Sequence, residues 1–462
     1  MRRNTPNLSQ DSKLVKELKA GKLKIAIYGL GHVGAPLAAV WLRAGSHVIG
    51  VDKSKKVLSE ARKGRTTLPE PNVNRAFRNG IDSGRFKLYE DPIKASRDSY
   101  FKMVCVPVLS QDQELSADLT AVTEVATMIG KGLKKNDVVS LNPSVPPGTT
   151  EDIVIPIIEK ESRMSIKRDF CMIYNPERIY EGRAVKDIEE NYPAVISSVG
   201  PKSKKIAYTI YSLIFKKGVL LLDSIRTAEA EKLFEGIYRD VNIALANELA
   251  KFCEAAGIDF WQARDAANSQ PFCHIHKPGI GVGGACIPVY PQFVLDVAKK
   301  INVLCEVTNI SRAINDGMPS YCVRQAIRLL RFSELPKSTV TILGLAFRGD
   351  VSDTRLSPTY SIIRELQKFG VKKINIHDPL VSDDPSLLSF RNVLLTSDLK
   401  KAIKNSDLII LSTDHREYKK LGKAFFRNIP VYDGRGLLDR NLGEKHKILT
   451  IGQGITKSSR LI

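Results

Sequence analysis

The 462-residue chain has little of what staples small or secreted proteins: its seven cysteines, at 105, 171, 253, 273, 286, 305 and 322, form no CxxC pair and no Cys/His ligand spacing. Neither a disulfide framework nor a structural zinc is expected, and the expected metal set is none. No segment is of low complexity and no basic run carries interleaved aromatics, so a nucleic-acid surface is not expected either. Acid is the scarcer charge, with 50 Asp plus Glu against 70 Lys plus Arg, a formal +20. That excess favours anionic partners, phosphate-bearing small molecules among them. Arg2 and Arg3 have no apolar core beside them, which argues against a secretory signal and for a cytoplasmic protein. Long hydrophobic runs are nearly absent. Residues 25–42 lack Lys, Arg, Asp and Glu, but Gly29, Gly31, Gly34 and Pro36 divide them. A strand, a turn and a helix are predicted there, with no membrane insertion.

What is present suffices for two or three domains, with 43% of residues hydrophobic and 26% charged. Residues 1–22 read as a polar tail with a short helical lead-in. Apolar strands alternate with helical patterns at 24–28, 47–51, 102–106, 137–141, 170–174 and 219–222, predicting a parallel, helix-covered sheet within 23–223. From about Thr227 to a stop at Gly257, Leu233, Ile237, Val241, Leu245, Leu249 and Cys253 recur every four residues. One helix of about 29 residues, roughly 43 Å long, is predicted, inside a helical segment at 224–317. Alternation returns within 318–462, with strands at 339–345, 373–377, 407–412 and 429–433. The fold class is α/β, two doubly wound Rossmann-like domains joined by a helical central domain with one long helix.

Gly29-Leu30-Gly31-His32-Val33-Gly34 follows the first predicted strand and opens a helix, and Asp52 ends the second strand. The glycines allow a tight turn, close approach of a pyrophosphate and packing of helix on strand, and the acid suits the ribose hydroxyls of NAD. His32 reads as a satisfied turn residue. A second glycine cluster at 279–284 precedes Cys286 and a predicted helix. A flexible, open backbone there would put Cys286 near a helix start, lower its thiol pKa and make it the nucleophile candidate. The other six cysteines lie in apolar patterns and are expected to be buried. Glu177 and Glu181, in the segment after the strand at 170–174, are expected to face the crevice beyond the strand ends, a surface turn being the plain alternative. Lys232, Gly236 and Arg239 share a helix face by spacing, and Lys232 is placed to neutralise developing negative charge, a solvated charged face being the alternative. The loop 344–350 with Asp353, Thr354 and Arg355 is basic but lacks the dinucleotide spacing, which suggests a different phosphate ligand.

Taken in order, IAIYGLGHVG, CVP at 105–107, SVPPGTT at 144–150, NPERIYEG at 175–182, AEKLFEGIYRDVNIALANELA at 230–250, GVGGACIPV at 281–289 and LGLAFRGDVSDTRLSP at 343–358 resemble the UDP-glucose/GDP-mannose dehydrogenase family. The resemblance implies a four-electron oxidation of a UDP-sugar C6 alcohol to a carboxylate with two NAD and one water. Cys286 would hold the aldehyde as a thiohemiacetal and then a thioester. Lys232 would stabilise oxyanion charge, and Glu177 and Glu181 would position or activate water. NAD contacts are implied for Gly29, Gly31, His32, Val33, Gly34, Asp52, Pro107, Ser144 and Arg355. Substrate contacts are implied for Glu177, Lys232, Arg239, Gly283, Arg348 and Arg435.

YRDVNIALANELA and HKPGIGVGG are most similar to members acting on UDP-N-acetylmannosamine or UDP-N-acetylglucosamine. The implied reaction is UDP-N-acetyl-D-mannosamine to its uronate. Oxidation of UDP-N-acetylglucosamine or UDP-glucose, or sugar-nucleotide binding with reduced turnover, are the alternatives. The domains implied are NAD-binding at 23–223, catalytic and dimerising at 224–317 and UDP-sugar-binding at 318–462, with a homodimer through the long helix. Gly236 and Tyr290 stand where the family often has an asparagine and an aspartate, Ala285 where many members have a histidine, and Phe272 near an arginine of some relatives. Gly236 removes a donor and costs the helix roughly 1 kcal/mol relative to Ala.

Overall fold

The structure, a computed structural model, describes residues 11–68, 70, 72–110, 116–330, 332–421, 423–426, 429–439 and 447–453. The chain divides into two compact units, Met1–Phe234 and Glu235–Ile462. Of the tail predicted at 1–22, residues 1–10 lie outside the described residues. The helix Ser12–Lys19, capped by Asp11, buries Leu14 and Leu18 in the first core, so the polar lead-in belongs to the fold.

Among the described residues, the first unit holds an eight-stranded sheet. Its order is Val219–Leu221, Ala194–Ser198, Cys171–Tyr174, Val138–Leu141, Phe101–Val104, Ile25–Tyr28, Val48–Val51, Phe86–Tyr89. The expectation of an all-parallel sheet is corrected at one place, where Cys171–Tyr174 meets Ala194–Ser198 antiparallel. The connection between them carries only the short turns Ala184–Lys186 and Asp187–Asn191, with no helix long enough for a crossover. Phe86–Tyr89 and Ala194–Ser198 are strands that the apolar pattern misses, because FKLY merely alternates over four residues and AVISS ends in serines. Ile25 and Ile27 pack with Leu37 and Trp41 on one face, while Ala26 and Tyr28 pack with Val122, Ile129 and Ile158 on the other. Burial on both faces makes this strand a continuous apolar run.

In the second unit six described strands are parallel throughout, in the order Val393–Thr396, Lys373–His377, Thr339–Leu343, Leu408–Leu411, Val431–Asp433, Ile448–Thr450. The first and last of these add to the four predicted. The helices Phe260–Ala267, Tyr290–Lys300 and Glu306–Ile327 precede the sheet. The last of them runs through the domain border expected at 317. No described helix is long and apolar enough to cross a membrane.

The helix Ile225–Ala256 has 32 residues, and Gly257 beyond it takes φ +72°. Its buried side is not the four-residue apolar series. Leu233 and Cys253 are buried, Ile237, Val241 and Leu249 half-buried and Leu245 exposed, while Gly236, Asp240, Ala244, Asn247 and Ala250 are buried. A repeat of four slides around a helix by about 40° each time, because each residue turns about 100°. Small and polar residues instead meet the helix Glu306–Ile327. Arg312 pairs with Asp240 at 2.6 Å, Asn315 donates to Asp240 and accepts from Asn247, each at 2.8 Å, and Tyr321 donates to Glu254.

Candidate active site

The turn after Ile25–Tyr28 is shaped by its glycines. Gly29 takes φ +93° and donates to the Val51 carbonyl at 2.8 Å. A Cβ on Gly34 would lie 1.8 Å from the Gly29 carbonyl oxygen, whereas a Cβ on Gly31 would meet nothing within 4 Å. The third glycine is thus required by packing, and the second leaves its side of the turn open. No side chain caps the helix Gly34–Arg43 at Val33, so its N-terminal N–H groups and dipole are available to an anion. Asp52 is half-buried. Its two oxygens accept from the Leu30 and Ser54 N–H groups, both at 2.8 Å, and each oxygen retains acceptor capacity. These residues fit a dinucleotide: Gly31 and the helix terminus would hold its pyrophosphate, and Asp52 would accept from its ribose hydroxyls. Exposed Pro107 and half-buried Ser144 each lie three residues beyond a strand, Phe101–Val104 and Val138–Leu141, next in order to Ile25–Tyr28.

Glu181 approaches His32 Nδ1 at 3.6 Å, which joins the segment after Cys171–Tyr174 to the glycine turn. Glu70, which sequence reasoning missed, holds that segment by accepting from the Gly182 N–H at 2.6 Å and the Ala184 N–H at 3.2 Å. Arg178 donates to the Pro193 carbonyl at 2.5 Å and Asn175 to the Val195 carbonyl at 2.9 Å. With the backbone held on both sides, Glu177 turns inward. It is buried, its Oε1 has no hydrogen-bond partner, and a small cavity lined in part by Arg178, Tyr192 and Phe215 adjoins it. Burial pushes its carboxyl up to about 8, against the pull of Lys232 and then Arg178. A neutral acid in that position can exchange a proton with a ligand near physiological pH.

Glu229 is a second missed residue. Fully buried on the long helix, it accepts from the Gly148 N–H at 2.6 Å, the Thr150 N–H at 2.8 Å and the Thr150 hydroxyl at 2.6 Å. It therefore clamps the segment carrying Ser144 onto the helix turn that carries Lys232. The acid is visible in AEAEK, but no local spacing says which loop it holds.

In the second unit, Cys286 lies in the turn before Tyr290–Lys300, and its carbonyl accepts from the Val289 and Tyr290 N–H groups at 3.1 and 3.0 Å. It is exposed, while Cys105, Cys171, Cys253 and Cys322 are buried. Cys273 and Cys305 are half-buried, which corrects the expectation that all six others pack inside. The backbone ahead of Cys286 is not open either. A Cβ on Gly283 would lie 2.6 Å from the Leu356 carbonyl oxygen, and one on Gly284 2.8 Å from the Phe347 ring. Gly284 also donates to the Arg355 carbonyl at 2.9 Å. Close packing on 347–356, not flexibility, explains these glycines.

Arg435 donates to the Ser412 carbonyl at 2.6 Å and the Phe347 carbonyl at 3.4 Å. Arg348 lies over the Phe347 ring, 5.8 Å from its centroid. Asp353 holds the Arg355 guanidinium through contacts of 2.9 and 2.5 Å. Of the three residues that spacing puts on one helix face, Lys232 is half-buried, Gly236 buried and Arg239 exposed.

A parallel sheet carrying this glycine turn and terminal acid is the frame of an NAD-dependent oxidoreductase. The descriptions of the UDP-glucose/GDP-mannose dehydrogenase family match the chain in three parts: its NAD binding domain at 23–215, central domain at 226–317 and UDP binding domain at 341–440. The chain is 32% identical over 440 residues to a UDP-N-acetyl-D-mannosamine dehydrogenase of Methanocaldococcus jannaschii, covering 93% of this chain and 97% of that one. It is 30% identical over 422 residues to an NDP-N-acetyl-D-galactosaminuronic acid dehydrogenase of Ralstonia solanacearum, covering 89% and 96%. The solved structure of a UDP-D-ManNAc dehydrogenase from Pyrococcus horikoshii superposes with a TM-score of 0.85 at 28% identity, over 94% of this chain and all of that one. The chain belongs to the UDP-glucose/GDP-mannose dehydrogenase family, whose members are NAD-dependent nucleotide-sugar dehydrogenases.

Proposed function

We propose that this chain oxidises the C6 alcohol of UDP-N-acetyl-D-mannosamine to the uronate, with Cys286 as the covalent nucleophile. The observation that carries the reading is that Cys286 is the exposed cysteine, in a turn whose carbonyl is held by two N–H groups. The relatives named for UDP-N-acetyl-D-mannosamine support the sugar. NAD, when bound, supplies the hydride acceptor for both oxidations. The Cys286 thiolate adds to the C6 aldehyde, loss of hydride from C6 leaves a thioester, and water cleaves it to the acid and the free thiol. Lys232 offsets the developing oxyanion charge. Glu177, in its ionised form, takes a proton from the attacking water and returns it to the departing Cys286 sulfur. Glu181 orders His32 beside the phosphate turn.

In this reading Arg239, Gly283, Arg348 and Arg435 contact the UDP-sugar, and Pro107, Ser144 and Arg355 contact NAD. The NAD-binding, central and UDP-sugar-binding parts are 23–223, 224–317 and 318–462. Two copies pair through the long helix, where Tyr238, Leu245 and Phe252 stand at seven-residue spacing and are 57%, 45% and 61% exposed. The enzyme works in the cytoplasm.

The test is to supply NAD with UDP-N-acetylmannosamine, UDP-N-acetylglucosamine or UDP-glucose, counting NADH per sugar and weighing the product, beside Cys286→Ala. Two NADH per sugar and an acid from the first substrate are expected, with the variant stalled before acid release. One NADH and no acid, or a fully active variant, overturns the mechanism. A different preferred sugar overturns the substrate, and binding without NADH favours the reduced-turnover alternative.

A further inference from the structure

Gly236 is the single glycine in the sequence of the helix Ile225–Ala256, well inside it, where glycine costs roughly 1 kcal/mol relative to alanine. Its backbone is not left-handed, so conformation does not require it. Space does. A Cβ there would lie 2.5 Å from Tyr290 Cδ2, 3.2 Å from its Cβ and 3.3 Å from its Cγ. The ring and the root of the Tyr290 side chain both rest on the glycine, so turning the far end of the ring would not make room. Tyr290 is 8% exposed and is the first residue of Tyr290–Lys300. Its own N–H donates to the Cys286 carbonyl at 3.0 Å. One residue therefore holds the long helix with its side chain and the Cys286 turn with its backbone. On the other side of Cys286, Gly284 is tied to the Arg355 carbonyl and packed on Phe347. The exposed thiol stands between two anchors, and a single methyl group at position 236 would displace one of them.

We propose that Tyr290 is a positioning residue for Cys286 and that Gly236 is the notch its ring requires. The inference rests on Cys286 being the reactive thiol. Gly236 and Tyr290 are then one coupled feature, not two separate losses of polar groups. A ring seated on a backbone notch sets the height of the Cys286 turn on the helix, and a displacement of about 1 Å costs a reaction on the order of a hundredfold.

The test compares Gly236→Ala, Tyr290→Phe, Tyr290→Ala and the double variant Gly236→Ala/Tyr290→Ala in the full chain. The first readout needs no sugar: the rate at which iodoacetamide alkylates Cys286, followed by the mass of its peptide. The second is kcat against KM for NAD with the active sugar. Gly236→Ala is expected to change the alkylation rate about fivefold and lower kcat about tenfold or more, leaving KM for NAD within about twofold. Tyr290→Phe keeps the wild-type alkylation rate because it keeps the ring. The double variant is no worse than Tyr290→Ala, because the added methyl no longer meets a ring. Wild-type alkylation and kcat in Gly236→Ala, or additive losses in the double variant, overturn the proposal. Should Gly236→Ala fail to fold, Tyr290→Ala and the double variant decide it: equal shifts in alkylation support the coupling, and wild-type rates in both refute it. Failure of the nucleophile reading is seen separately, as unchanged turnover in Cys286→Ala, and leaves the alkylation comparison standing.

Discussion

The two large sheets begin with the same local device and use it differently. In each, a first strand enters a glycine turn and an aspartate follows the second strand: Asp52 after Val48–Val51, Asp378 after Lys373–His377. Asp52 accepts two N–H groups and stays half-buried. Asp378 is fully buried and accepts from the N–H groups of Leu345, Ala346, Leu380 and Val381, at 2.8 to 3.0 Å. It also accepts from His415 Nε2 at 3.2 Å, while His415 Nδ1 accepts from the Asp350 N–H. Burial raises Asp378, but the His415 and backbone hydrogen bonds outweigh it and hold the carboxyl below its ordinary value. The same acid at the same strand end keeps acceptor capacity in one unit and has it taken up by the protein in the other. What differs is how many acceptor sites are taken, by two backbone N–H groups at Asp52 and by four backbone N–H groups and one imidazole at Asp378.

The largest effect expected from this contrast is in stability. Asp378→Ala should cost about 3–5 kcal/mol, as removal of one partner from a buried charged network does. Asp52→Ala should cost less than about 1 kcal/mol and instead weaken NAD about tenfold. Urea unfolding and NAD titration check both, and equal destabilisation would erase the distinction. Because the Asp378 value is depressed, its contribution is present above the ordinary carboxylate range and is lost as acid protonates it. The deficit of the variant should therefore shrink on acidification.

The glycine turn sharpens the comparison inside one motif. Gly34→Ala presses a methyl onto the Gly29 carbonyl oxygen and should destabilise by about 2–3 kcal/mol. Gly31→Ala, with nothing nearby, should stay within about 0.5 kcal/mol of wild type and still weaken NAD. Thermal unfolding with and without NAD separates the two.

The stability effect at Glu177 depends on pH, and its sign is opposite to that of Asp378. Its carboxyl is raised from 4.5 to about 8 by burial, so its contribution is intact below the ordinary value and is lost as pH rises through that window. Glu177→Gln should stabilise the protein by about 1–2 kcal/mol at about pH 9 and hardly at all at about pH 5. The pH–rate limb near its pKa should also vanish. A wild-type pH–stability curve in the variant would place the titrating group elsewhere.

The residues most legible in sequence were those whose partners are local. Gly29, Gly31, Gly34 and Asp52 lie in one strand–turn–helix–strand unit, and the turn they form follows from that local geometry. The length of the long helix was readable from its unbroken pattern and the stop at Gly257. Its buried side was not, because burial follows Asp240, Asn247 and Glu254, whose partners Arg312, Asn315 and Tyr321 sit on another helix. Glu70 and Glu229 escaped notice for the same reason: each carboxylate holds backbone far along the chain.

By itself the sequence determined the α/β class and the glycine turn after the first strand, since short-range backbone geometry governs these. Only the tertiary structure decided that the glycines before Cys286 are packed, that Asp378 is consumed and that Gly236 seats Tyr290. The room for a Cβ and the partners of a carboxylate are set by segments distant in the chain, and these acquire a position only when the core closes.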